Sequence, residues 1–198
     1  MPITNLNTEE ILYYCVAVLV IVTFSSGFTR LFATGFADPR RDEGFDFNPI
    51  TSLDIVGTIV FLLGGFGWGR QVDDQKIRFK KQKLGWFLIS LIAPFASLTL
   101  AMSAAYIKYF LWTDRVIDVM LNVSVAVTAY HILPIPPMAG SRLIFLVIPE
   151  DPYWRLFSKL GPYIILGLVL ADRFSGTPFL REAMGPVVNA VAGFASYH

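Results

Sequence analysis

Charge is what this sequence has least of. Lysine, arginine, aspartate and glutamate make up 16% of its 198 residues, against about 25% in an ordinary soluble domain. Histidine occurs twice, as His131 and His198, and cysteine once, as Cys15. A single cysteine excludes an internal disulfide framework and a thiolate metal cluster. Two histidines this far apart exclude the i, i+4 pair by which one helix face holds zinc. No C-x-x-C-H sequence is present, which removes covalent c-type haem attachment. The net charge of +1 shows no basic excess, and no nucleic-acid partner is expected.

The missing charge is concentrated in long gaps. Uncharged runs extend from Ile11 to Thr29, Leu84 to Ile107 and Val119 to Ser141. Each matches the roughly 20 apolar residues that cross a bilayer core at about 1.5 Å per residue. The sequence therefore predicts an all-α integral membrane protein, one membrane domain over 1–198, with spans near 11–36, 84–111 and 117–140. The first run follows Glu9 and Glu10 rather than a basic segment, which argues against a cleaved signal peptide.

Between the runs the chain changes character. Residues 37–54 carry Asp38-Pro39-Arg40-Arg41-Asp42-Glu43 and two further helix breakers, Gly44 and Pro49; a loop is expected, with a short strand through 45–47. The uncharged stretch 55–69 contains five glycines and is short for a span, so a re-entrant hairpin is expected there. Residues 70–83 hold Arg70, Lys76, Arg78, Lys80, Lys81 and Lys83. This basic loop suits anionic lipid or an acidic partner surface, and the alternation at 77–80 suits a strand. Two short apolar segments, 160–171 and 183–197, complete the chain as one or two C-terminal helices.

If 55–69 re-enters, loops 37–54, 70–83 and 150–159 share one side, with ten Lys/Arg. Residues 1–10, 108–118 and 172–182 share the other, with Lys108, Arg115, Arg173 and Arg181. Positive charge concentrates on the cytoplasmic face. The expectation is a bacterial inner-membrane protein with its N-terminus outside and its basic loops cytoplasmic.

Several segments resemble the site-2 protease family of intramembrane zinc metallopeptidases. The most specific is His131-Ile132-Leu133-Pro134-Ile135-Pro136-Pro137-Met138-Ala139-Gly140-Ser141-Arg142, similar to that family's N-L-L-P-I-P-P-L-D-G-G-R segment. Asn48-Pro49-Ile50-Thr51-Ser52-Leu53-Asp54 resembles a bacterial subgroup's N-P-x-x-H-L-D and Gly67-Trp68-Gly69-Arg70 its G-W-A-K, while Ile92-Ala93-Pro94-Phe95-Ala96-Ser97 resembles A-G-P-x-x-N. The resemblance covers about residues 10 to 170. It implies a three-helix core with a re-entrant segment and C-terminal helices packed around it.

The departures fall on the zinc ligands. Members of the family hold zinc with both histidines of an H-E-x-x-H helix and an aspartate of the proline-rich segment. Counting back from Ala37-Asp38-Pro39, the two histidine positions are Ser25 and Thr29 in this chain, the glutamate position is Ser26, and the aspartate position is Ala139. A hydrolytic zinc needs about three protein ligands and a base near its water. On these grounds the chain is expected to be no enzyme but a pseudoprotease without a metal. Small hydroxyl residues filling the vacated cavity are the simpler reading of Ser25 and Ser26; a serine nucleophile with His131 as base is the rarer one.

His131 is the one ionisable imidazole inside an apolar run, and such groups are costly in a membrane. It is expected to be a neutral ring bonded to a nearby carbonyl or hydroxyl. A haem or chlorophyll-type ligand at His131, or a quinone or lipid anchor, is the alternative. Bound lipids and other membrane protein subunits are the expected partners. The resulting functional expectation is a scaffold or assembly subunit of a larger membrane complex, such as a respiratory or photosynthetic one, with a pigment-binding subunit or an active metalloprotease of unrecognised ligands as alternatives.

Overall fold

The computed structural model describes residues 7–36, 48–72, 79–147 and 152–196. Eight helices occur among them: α1 Thr8–Phe36, α2 Pro49–Ser52, α3 Ile55–Gly64, α4 Gln82–Phe110, α5 Arg115–Tyr130, α6 Ala139–Val147, α7 Pro152–Phe174 and α8 Phe179–Ala195. The expected all-α architecture holds; β-pairing among the described residues is one isolated antiparallel bridge, Leu53 with Gly69. The strands anticipated at 45–47 and 77–80 lie outside the described residues, apart from Phe79 and Lys80, which are not in a strand.

Helices α1 and α4, 29 residues each, reach about 43 Å at 1.5 Å per residue. Both are long and apolar enough to cross a membrane. The start of α1 is sharp because the Asn7 amide donates to the Glu10 carboxylate at 3.1 Å, half of a capping box, and Glu9 and Glu10 favour the positive helix end. α5 packs beside both. Arg115 pairs with Glu10 at 3.4 Å and Lys108 with Asp118 at 2.7 Å, so α1 and α5 begin at the same end and α4 finishes there. Tyr14, Ala17, Val18, Ile21 and Val22 of α1 meet Val123 and Val127 of α5 in a core they share with Phe61.

The expected span 117–140 is shorter in the structure. α5 stops at Tyr130 because Pro134, Pro136 and Pro137 supply no amide hydrogens and cannot continue a helix. Residues 131–138 turn instead, and α6 starts at Ala139.

The stretch 55–69 folds as a hairpin whose two ends meet. Its descending arm is α3, started by the Asp54 carboxylate accepting from the Gly57 amide at 2.7 Å. Gly65, at φ 79, turns the chain with a left-handed residue that suits glycine. The returning arm, 66–69, comes back to Leu53, where the Arg70 amide donates to the Ser52 carbonyl at 2.8 Å. Two aromatic contacts hold the hairpin in the bundle. The Tyr14 hydroxyl donates to the Phe61 carbonyl at 2.6 Å, and Phe66 stacks on Tyr130 with ring centres 3.7 Å apart.

The C-terminal segments are longer than their apolar cores suggested. α7 and α8 meet at a bend of 107°. Leu180 and Met184, at the start of α8, pack near Tyr130, while Ala195, at its end, packs against Ala101 and Val125. The α7–α8 corner therefore lies at the Tyr130 end of α5, not at the Glu10 end where residues 172–182 were expected. The hydrophobic stripe of α8 fixes this, since Val188, Val191 and Ala192 pair with α5 in the opposite chain direction. Of the four basic residues expected at the Glu10 end, Lys108 and Arg115 remain there.

Gly57 marks how tightly the hairpin closes: a Cβ there would collide with the Trp68 carbonyl. Gly57→Val is expected to lower stability by about 1–3 kcal/mol through overpacking. Gly167→Ala, in α7 with open space around the new carbon, is expected to be neutral or stabilising by up to about 1 kcal/mol. Thermal unfolding in detergent, followed by tryptophan fluorescence, checks both; equal melting of the two variants would show that close approach does not hold the hairpin.

Candidate functional site

Where α1 passes the hairpin mouth and the turn after α5, the bundle leaves a small cavity of about 30 Å³, open on one side. Its inner part is narrow. Val22, Ser25, Ser26 and Thr29 line it from α1, Trp68 to Val72 from the hairpin exit, Trp86 and Ser90 from α4, and His131 and Arg142 from the far side. The structure thus brings Ser25, Ser26, Thr29 and His131 to one place. The periodicity of α1 explains the first three, because positions 25, 26 and 29 fall on one helix face. Ala139 is buried in the first turn of α6 and is not among the lining residues.

Two of these hydroxyls are engaged locally. Ser25 donates to the Ile21 carbonyl and Thr29 to the Ser25 carbonyl, the latter at 2.7 Å, the back-bonding usual for such residues in membrane helices. Their oxygens keep lone pairs. His131, 4% exposed, holds its Nδ1 2.7 Å from the Val127 carbonyl. A carbonyl only accepts, so Nδ1 carries the hydrogen and Nε2 carries a lone pair. The His131 carbonyl in turn accepts from the Gly140 amide at 2.8 Å, which ties the turn to α6. The inner cavity is consequently rich in acceptors: two hydroxyl oxygens and one imidazole nitrogen.

The mouth is cationic. Arg70 is exposed there, and Arg142 lies over Trp86 at 5.2 Å and over Phe145 at 5.9 Å. No aspartate or glutamate is among the lining residues. Arg142 and Trp86 were not picked out from the sequence. Arg142 belongs to the proline-rich segment, which gave a signal; Trp86 had none, since one tryptophan near a helix start reads equally as an interface anchor. Lys83 stands outside the cavity, 5.6 Å from the Phe145 ring. Lys80 and Lys81 do not line the cavity either, and Lys76 and Arg78 lie outside the described residues.

No family model and no solved structure matches the chain. A curated relative does. The chain is 25% identical over 205 aligned positions, covering 92% of each protein, to one named "Putative zinc metalloprotease YwhC" from Bacillus subtilis (strain 168). This near full-length likeness agrees with the metallopeptidase resemblance of the proline-rich segment. It also corrects one expectation. Missing ligands pointed to a chain that is no enzyme, whereas the relative's name points to protease activity.

The residues described here do not fit a zinc ion. Three donors drawn from histidine, cysteine, aspartate or glutamate are the usual minimum, and among the described residues no three of these converge. The cavity supplies one, His131. Zinc dialysis followed by elemental analysis is expected to leave well below one zinc per chain, unchanged by His131→Ala. A stoichiometric zinc that survives dialysis would place ligands outside the described residues.

Proposed function

We propose that this chain is a site-2-protease-like membrane protein that seats a segment of a partner membrane protein against its polar cavity, as a scaffold or assembly subunit of a larger membrane complex. The observation that carries this reading is the cavity itself. Hydroxyl oxygens and an imidazole lone pair are held inside an apolar bundle beside a cationic mouth. Acceptors at such depth are costly unless something donates to them. A polypeptide brings backbone N–H groups, and its acidic side chains would meet Arg70 at the mouth.

The relative's name favours a second reading, in which the seated segment is cut. Both readings place a polypeptide at the same site and differ in whether it leaves whole. The proposed orientation keeps the N-terminus outside and the basic loop that follows the hairpin in the cytoplasm of a bacterial inner membrane; it is supported by Lys108 and Arg115 being the basic residues left at the Glu10 end.

Purification in mild detergent with mass spectrometry of bound proteins tests the assignment. An intact partner of fixed stoichiometry is expected, and Arg70→Glu should reduce its recovery by about tenfold, the effect of ~1.4 kcal/mol. A shortened partner would favour cutting. A monodisperse lone monomer would count against both the scaffold and the complex.

A further inference from the structure

The outward face of α4 changes chemistry partway along, away from the polar cavity and independently of the function proposed for it. Leu84, Leu88, Phe95 and Met102 are exposed on it, followed by Tyr106 and Tyr109. These positions recur at steps of four, seven, seven, four and three residues, which keeps them on one side of a helix. Thr99 and Ser103, exposed beside the stripe, return their hydroxyls to the Ala96 and Thr99 carbonyls at 2.8 Å each. The stripe therefore offers hydrocarbon as far as Met102 and phenols from Tyr106 onward. Phe110, Leu111 and Trp112 extend the aromatic patch past the helix end. With Tyr106 and Tyr109 they are between 54% and 70% exposed.

The level of this change is marked by charge on the neighbouring helices. Lys108 pairs with Asp118 at 2.7 Å and Arg115 with Glu10 at 3.4 Å, so ionised groups of α1, α4 and α5 gather where the phenols begin. From Glu10 the next charge on α1 is Arg30, twenty residues on, or about 30 Å at 1.5 Å per residue. From Leu84 to Tyr106 is twenty-two residues, about 33 Å. Both lengths match a hydrocarbon core of roughly 30 Å. Amphipathic rings suit the layer just outside that core, where the ring meets acyl chains and the hydroxyl or indole N–H meets ester carbonyls and water.

We propose that Tyr106, Tyr109 and Trp112 anchor the Glu10 end of the bundle in the phospholipid headgroup layer. The outward stripe of α4 then lies against acyl chains, and Phe95, midway between Leu84 and Tyr106, lies at the bilayer centre. The surface fits the ester-carbonyl layer of phospholipids in general rather than one charged headgroup, because the three rings present neutral donors and the cation among them, Lys108, is engaged by Asp118.

The test uses the full chain with Cys15→Ala, reconstituted in phosphatidylcholine vesicles and carrying a nitroxide on one introduced cysteine: Leu88→Cys, Phe95→Cys, Met102→Cys or Tyr109→Cys. Relaxation by dissolved oxygen, which concentrates at the bilayer centre, and by a water-soluble nickel chelate reads the depth of each label. Oxygen relaxation is expected to peak at Phe95→Cys, and nickel relaxation to rise several-fold from there to Tyr109→Cys. Adding Tyr106→Leu and Trp112→Leu removes the polar tips and should move the Met102→Cys label deeper, whereas Tyr106→Trp should leave it in place. An oxygen peak at Leu88→Cys or Met102→Cys, or a Met102→Cys label that does not move in the double leucine variant, would overturn the anchor. A Tyr109→Cys label immobilised and shielded from both reagents would overturn it in favour of a second copy of the chain covering the patch.

Discussion

Backbone polar groups taken out of water must find their hydrogen bonds within the protein, and much of this molecule is arranged around meeting that demand for one hairpin. Residues 52–70 close on themselves through the Leu53–Gly69 bridge and the Arg70 amide. Asp54 caps α3, and Phe61 spends its carbonyl on Tyr14. α1 supplies the surface on which the hairpin lies, and α5 supplies the Tyr130 ring that pins its return. The polar cavity lies where the end of the returning arm, with Gly69 packed against Ser26 and Val22, passes the hydroxyl-bearing face of α1.

Much of this was legible in the sequence. Uncharged runs located α1 and α4, and five glycines within a short apolar stretch located the hairpin, since a stable span has no use for them. The proline-rich segment placed His131 beside α1 before any coordinates did. What escaped detection follows a common pattern. The end of α5 depended on prolines lying several residues beyond it, inside an otherwise uninterrupted apolar run. The position of the α7–α8 corner depended on which stripe of α8 meets α5, and local composition carries no record of a bend angle. Arg142 and Trp86 meet across α4 and α6, so their pairing has no signature along the chain.

The cavity and the relative's name pull in different directions. Among the described residues no three of histidine, cysteine, aspartate and glutamate converge, yet the likeness to a protein named as a putative zinc metalloprotease runs almost from end to end. The proposed seating of a polypeptide would reconcile the two, because the elements that would hold a substrate beside a metal are the ones proposed to seat a partner: a hydroxyl-bearing helix face, an irregular hairpin exit and a proline-rich turn. The acceptor-rich interior and the cationic mouth would serve that proposed seat in either case.

The Tyr14–Phe61 hydrogen bond has a consequence for cooperativity. It joins the second turn of the first helix to the inner half of a hairpin 47 residues later in the chain. A hairpin of ten helical residues and a short return would ordinarily fray as a small local unit. Anchored at its inner half by Tyr14 and at its return by Phe66, it has no route to open alone. Its amides should therefore exchange with solvent on the timescale of the whole bundle, and opening of the cavity floor is coupled to separation of α1 from α5.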